Sequence, residues 1–200
     1  MALPTAEELF DTYFAPWHPP EEHEDGNVWL RPDFEEIELP PGAHIRVLDR
    51  LTPEGRAAAG ARVAGMERAA REDWPALLGV SGEPGPEWLE AFDRWATEER
   101  VADLLKTARP EQSANPILVL ACEAGALTGG LLLRAHPGMQ WLVDWPYWNS
   151  AVFDLNTRTR LHVFAWAVRR FASGGADTPL LARYETALKL LRGGPPDPAL

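Results

Sequence analysis

The sequence predicts an α+β fold that is mostly helical, with a small antiparallel sheet in the C-terminal third. Long stretches repeat apolar residues at intervals of three and four, which is the spacing of an amphipathic helix. After residue 138 the apolar runs become short and are separated by turn residues, which favours strands. With 200 residues, 46% of them apolar and 24% charged, the chain suits a single globular domain over residues 1–200.

Local signals predict the elements of the N-terminal quarter. Thr5-Ala-Glu-Glu8 is a capping box, which opens a short helix that the following prolines end. Residues 16–27 are expected to be a loop, because they are rich in proline and acidic side chains. The break at Pro40-Pro-Gly42 then allows a hairpin near residues 33–50.

Two helices are predicted in the middle of the chain. Thr52-Pro-Glu54 combines an N-cap residue, a proline at the first helical position and an acid in the first turn, and we expect that helix to end near Arg71. Glycine and proline in residues 74–86 predict a loop and the best position for an internal boundary. Aromatic and aliphatic residues then recur at helical spacing, which predicts one helix over residues 86–108.

Asn115-Pro116 predicts the start of a strongly apolar helix that runs to about Ala135. It is at the short limit for a membrane span and carries Glu123 near its middle, so we expect a buried helix and no membrane partner. Ala121, Gly125 and Gly129 fall on one side, where the missing side-chain bulk predicts close packing of another element. Gly125→Leu should therefore overpack this face.

The C-terminal third is predicted to contain three short strands and two helices. The strands are expected over residues 139–145, 150–155 and 159–163, and the helices over residues 164–172 and from Thr178. Gly193-Gly194 ends the last helix, and residues 193–200 are expected to form a mobile tail.

Charge and targeting signals limit the class of protein. The net charge is −11, and residues 1–100 contribute 22 acidic and 9 basic side chains, so a nucleic-acid partner is disfavoured. A single cysteine, Cys122, excludes an internal disulfide framework and a zinc cluster built on cysteine. The first residues lack the basic and apolar regions of a signal peptide, so we expect a cytoplasmic location.

Few residues are candidates for chemistry. His18, His23 and the acidic residues between and after them are metal-ligand types, but their spacing matches no stereotyped site and favours an exposed loop. Glu123 lies in an apolar helix. We favour an ion pair with Arg134, Arg169 or Arg170, or a position at the helix surface, over a role as general acid. The sequence carries none of the common nucleophile, phosphate-loop or dinucleotide motifs. We therefore expect no catalytic, cofactor-binding or metal-binding residues.

The segment Asp144-Trp-Pro-Tyr-Trp-Asn149 is the candidate interaction site. Proline and asparagine favour a turn between two strands, and a turn belongs at the surface. Trp145, Tyr147 and Trp148 are large anchors for a protein partner or a homodimer, and we expect at least one of them to stay exposed.

Residues 115–192 resemble a family of bacterial domains of unknown function. The resemblance rests on Cys122-Glu-Ala-Gly-Ala-Leu-Thr-Gly-Gly130, on Trp141-Leu-Val-Asp144, on the run Val163–Arg170 and on Gly174-Gly-Ala-Asp-Thr-Pro-Leu-Leu-Ala-Arg-Tyr-Glu185. The chain departs from that pattern where the family has a Gly-Glu pair. The resemblance implies a helix–sheet–helix unit in a bacterial cytoplasm and implies no reaction.

The predicted function is therefore that of a non-catalytic, soluble bacterial interaction or regulatory protein, with a toxin-immunity protein as one form. This prediction depends on the absent catalytic motifs, the acidic first half and the aromatic segment. The alternative is a small hydrolase-like enzyme that uses Glu123 or the acidic loop with His18 and His23.

Overall fold

The computed structural model describes residues 2–17, 52–143, 150–157 and 159–192. In these residues the fold is α+β and mostly helical, which confirms the predicted class. The helices are α1 (Ala6–Tyr13), α2 (Pro53–Leu78), α3 (Pro86–Trp95), α4 (Glu98–Thr107), α5 (Pro116–Ala135), α6 (Val163–Arg170) and α7 (Leu180–Leu191). The strands are β1 (Met139–Leu142), β2 (Ala151–Asp154) and β3 (Arg160–Leu161). The hairpin predicted near residues 33–50 and the tail at 193–200 lie outside the described residues.

The three strands form one antiparallel sheet in the order β1-β2-β3. Met139 pairs with Asp154 at one end of the β1–β2 ladder, and Leu142 pairs with Ala151 at the other. The predicted strands are therefore present but shorter than expected, and β3 has only two residues. The sheet packs on α5 and α6, so it covers one side of the helical core.

α5 is the central helix of the fold. Asn115 caps it as predicted, because its side-chain oxygen accepts a hydrogen bond from the amide of Leu118 at 2.8 Å. By length and composition α5 could cross a membrane, but 83% of its most apolar window is buried inside the described structure. It packs against α2, α6 and α7 as well as the sheet, which confirms the predicted buried helix.

The small-residue face of α5 allows the close approach that the sequence predicts. A Cβ atom added to Gly125 would lie 2.5 Å from Cδ1 and 3.0 Å from the backbone Cα of Phe164 in α6. One added to Gly129 would collide with the ring of Trp141 in β1. Ala121, the third member, is fully buried. This face therefore brings α6 and the sheet against α5.

α2 is longer than predicted, because residues 74–78 are helical and only 79–85 form the loop. Pro75 lies inside the helix, where it removes one backbone donor without ending the element. Trp74 is fully buried and stacks on Phe92 of α3 at a ring distance of 4.8 Å, which holds this turn in place. Gly79 ends the helix with a left-handed φ of 70°.

The single helix predicted over residues 86–108 is wrong, because the chain breaks between α3 and α4. Ala96 leaves helical geometry, and Thr97 caps α4 by accepting a hydrogen bond from the amide of Arg100 at 3.3 Å. The apolar spacing continues across the break, which is why periodicity alone did not indicate it. Thr97 followed by two glutamates is the local signal for a new helix start.

An aspartate in α3, with 11% of its side chain exposed, binds both α6 and α7. Asp93 Oδ1 accepts hydrogen bonds from Nε of Arg170 at 2.8 Å and from the amide of Leu180 at 3.0 Å. Its Oδ2 accepts from the amide of Leu181 at 3.0 Å. Pro179, the N-cap residue of α7, makes no side-chain cap hydrogen bond, so Asp93 supplies the cap from a different helix.

The N-terminal segment is fixed by hydrogen bonds at the start of α1 and by burial of its apolar side chains. Thr5 and Glu8 form both hydrogen bonds of the predicted capping box, at 3.2 and 2.8 Å. Just before the helix, the carbonyl of Pro4 accepts a hydrogen bond from the amide of Ser173 at 2.8 Å. Leu9, Phe10 and Phe14 are buried against the rest of the core.

Candidate functional site

The predicted interaction residues Trp145, Tyr147 and Trp148 lie outside the described residues. Their flanks are described: β1 ends at Leu142 and β2 begins at its paired residue, Ala151. The segment therefore connects neighbouring ends of two antiparallel strands, as the sequence predicts. The role of the three aromatic residues stays a prediction.

Glu123 is the most unusual polar residue of the described core. It lies in the middle of α5 between apolar neighbours, and 4% of its surface is exposed. Its Oε2 accepts a hydrogen bond of 2.9 Å from the indole Nε1 of Trp74 in α2. A neutral donor from a neighbouring helix thus partners the carboxyl group.

The expected ion pair of Glu123, or its position at the helix surface, is wrong. Arg134 Nη1 binds Glu67 at 2.6 Å, and Arg170 Nε binds Asp93 at 2.8 Å. Neither these two arginines nor Arg169 forms an ion pair with Glu123 in the described part of the chain. The sequence showed the three cations but gave no information about which carboxylate each would reach.

Burial raises the pKa of Glu123 to about 7. The hydrogen bond from Trp74 acts in the opposite direction, because a donor stabilises the carboxylate. The negative charge of Asp73 adds to the upward shift. The group is therefore close to the point of exchange between its neutral and charged forms at neutral pH.

An aromatic layer covers the indole that binds Glu123. Trp74 stacks on Phe92 with 10° between the ring planes, and Phe92 meets the edge of Phe171 at 5.8 Å. These three side chains are fully buried. On the side of α2 and α3, apolar rings therefore separate the carboxyl group from solvent.

A second buried carboxyl group lies at the turn after β2. Asp154 is fully buried and accepts hydrogen bonds from the amide of Thr157 at 2.9 Å and from its hydroxyl at 2.6 Å. Burial raises the pKa of Asp154, but the hydrogen bonds from Thr157 and Asn156, with nearby His136, outweigh it and hold the pKa below its ordinary value. The carboxylate of Asp154 is therefore used to hold the turn.

His136 is a histidine near Asp154 with a buried nitrogen that is unpaired among the described residues. Its Nδ1 is buried without a hydrogen-bond partner in the part of the chain that the structure describes. A Cβ atom on Gly138 would lie 2.8 Å from Asp154 Oδ1 and 3.2 Å from Cε1 of His136. Glycine is thus needed where these side chains approach the backbone.

The described residues offer little for a metal or a cofactor. They contain no group of three or more His, Cys, Asp or Glu side chains that could hold a metal ion, and the loop with His18 and His23 lies outside them. Two open grooves lie beside α4 and share Glu99 and Asp103; Lys106 lines one of them, and Trp95 and Arg100 line the other. Neither groove includes Glu123 or His136.

No family model, curated protein or solved structure matches the chain.

Proposed function

We propose that this chain is a non-catalytic interaction or regulatory protein of the bacterial cytoplasm, with a toxin-immunity protein as one form of that role. The observation that carries the proposal is the position of Glu123. A catalytic carboxyl group must come within hydrogen-bond distance of its substrate, directly or through one water molecule. Glu123 is instead 4% exposed and bonded to a fully buried indole, which supports a structural role for it.

The other largely buried charges support the same proposal. Asp93 binds Arg170 and the start of α7, and Asp154 holds its own turn. At the surface, the net charge of −11 would complement a partner with a basic face. The aromatic segment between β1 and β2 would supply the apolar anchors.

One observation favours the hydrolase-like alternative. A carboxyl group with a pKa of about 7 suits general acid or base catalysis at neutral pH. The non-catalytic proposal predicts instead that the purified chain is inactive on chromogenic esters, phosphate esters, peptides and glycosides. An activity that is present in the wild-type protein and lost in Glu123→Gln would contradict the non-catalytic proposal.

The interaction itself is tested through Trp145, Tyr147 and Trp148. We expect the wild-type chain to show concentration-dependent dimers in sedimentation velocity, and a variant with alanine at all three positions to be monomeric. Leu155→Ala is the matched control, because Leu155 is 60% exposed and lies just after β2. Loss of dimers in this control as well would remove the assignment to the aromatic segment. A wild-type chain that is monomeric throughout would contradict the homodimer form of the proposal.

A further inference from the structure

Two polar side-chain contacts join α2 to α5. Glu67 binds Arg134 at 2.6 Å, and seven residues further along α2 the indole of Trp74 binds Glu123 at 2.9 Å. The α2 numbers rise as the α5 numbers fall, so the two helices are antiparallel. At 1.5 Å per residue the contacts are about 10 Å apart along α2.

The two contacts differ in how well they stabilise a negative charge on their glutamate. Glu67 Oε1 accepts hydrogen bonds from two guanidinium groups, those of Arg71 at 3.0 Å and Arg134 at 2.6 Å. Glu123 is more deeply buried and has one neutral donor. A buried carboxylate without a cation is disfavoured, so this position favours the protonated form of Glu123.

Charges on the surrounding elements do not stabilise the ionised form of Glu123. Asp73 of α2 acts on Glu123 and, being negative, opposes its ionisation. Three other acidic groups on the elements packed against α5 have partners of their own: Asp93 of α3 binds Arg170 of α6, Asp103 pairs with Lys106 in α4, and Asp154 of β2 binds Thr157.

The C-terminal end of α2 is the element most able to respond. Pro75 follows Trp74 directly and has no amide hydrogen, so this turn already lacks one helical hydrogen bond. The helix ends four residues after Trp74, at Leu78. Opening this end would bring water to Glu123 while the Glu67 contact still holds the preceding part of α2 on α5.

We propose that the packing of the end of α2 over Glu123 depends on a proton: the neutral carboxyl group fits this buried position, and its ionisation favours an open end in which water reaches the carboxylate, at the cost of the Trp74 hydrogen bond. The proposal goes beyond the binding role proposed above, because it gives the chain a conformational response near neutral pH.

The direction of the pH dependence follows from the raised pKa of Glu123. The folded state holds the proton up to about pH 7, whereas the ordinary value of the group is 4.5. The stabilisation from proton binding is therefore complete below pH 4.5 and is lost as the pH rises through about 7. Between pH 5 and 8 we expect Glu123 to lower the folding equilibrium constant on the order of a hundredfold.

Glu123→Gln tests the proposal, because glutamine keeps an acceptor for the Trp74 indole and cannot ionise. We expect the wild-type urea midpoint to fall between pH 5 and 8, and amide exchange at residues 76–79 to increase over the same range by more than it does in α7. Both changes should largely disappear in Glu123→Gln. Glu67→Gln is the matched control, because it alters the other α2–α5 contact, and it should retain them.

A direct titration keeps the test decisive if a variant does not fold. Carbon-13 NMR of the side-chain carboxyl groups in the wild-type protein should show one glutamate with a midpoint near 7. A Glu123 that titrates at its ordinary value would overturn the proposal. So would a Glu123→Gln variant with the full pH dependence of the wild type.

Discussion

Asp93→Ala is expected to lower the free energy of unfolding by about 3–5 kcal/mol, which is the cost of removing one partner from a buried ion pair. Arg170 is 5% exposed and would keep its charge without the carboxylate that neutralises it. The amides of Leu180 and Leu181 would also lose their acceptor at the start of α7. Urea unfolding measures the effect as a lower midpoint with an unchanged slope.

Glu90→Ala is the matched control for this prediction. Glu90 lies in the same helix and pairs with Arg94 at 3.1 Å, but both side chains are more than half exposed. An exposed pair of this kind contributes only about 0.3–0.5 kcal/mol. If Asp93→Ala shifted the midpoint no more than Glu90→Ala, the proposed link between α3, α6 and α7 would be wrong. Asp93→Asn should lie between the two, because its amide group can replace only one of the two carboxylate acceptors.

Gly125→Leu is expected to destabilise the protein by about 1–3 kcal/mol or more, because it overpacks the contact between α5 and α6. The first added carbon would already meet the Cα atom of Phe164 at 3.0 Å, and a backbone atom cannot move without moving its helix. Thermal or urea unfolding, followed by circular dichroism, measures the loss.

A comparison of Gly125→Ala with Gly130→Ala separates the effect of this contact on stability from the effect of helix propensity. Both substitutions gain about 1 kcal/mol of intrinsic helix propensity. At Gly130, however, the nearest atoms to the new Cβ atom are in the carboxyl group of Glu67, which can move at the expense of its bonds to Arg71 and Arg134, whereas the backbone of Phe164 cannot. Gly130→Ala should therefore be more stable than Gly125→Ala. Equal midpoints for the two variants would show that α6 does not depend on the small residue at 125.

The starts of several helices could be predicted because their signals are local. Thr5, Thr52 and Asn115 each bind an amide three residues further along the chain, within reach of their own side chains. The small-residue face of α5 was also predictable, since glycine at helical spacing leaves room whatever occupies it. The identity of the occupants, Phe164 and Trp141, required the three-dimensional fold.

The partners of the buried charges could not be predicted in the same way. Asp93 caps a helix that begins 87 residues later, and no local pattern connects the two. Glu123 binds an indole 49 residues earlier in the chain, where the sequence led us to expect a cation. A signal for Trp74 did exist, because it continues the buried face of α2 that includes Val63 and Ala70, but the glycines and prolines of residues 74–86 predict a loop at this point.

The central position of α5 has a consequence for synthesis on the ribosome. α5 is complete at Ala135, but α6 and α7, which cover it, are complete only at Arg170 and Leu191. At 5–20 residues per second the last of them follows on the order of 3–10 s later. During that interval the most apolar helix of the described chain lacks its C-terminal cover and is exposed to chaperones and to other nascent chains. The burial of α5 is therefore complete only when α7, the last described helix, has been synthesised and has packed against it.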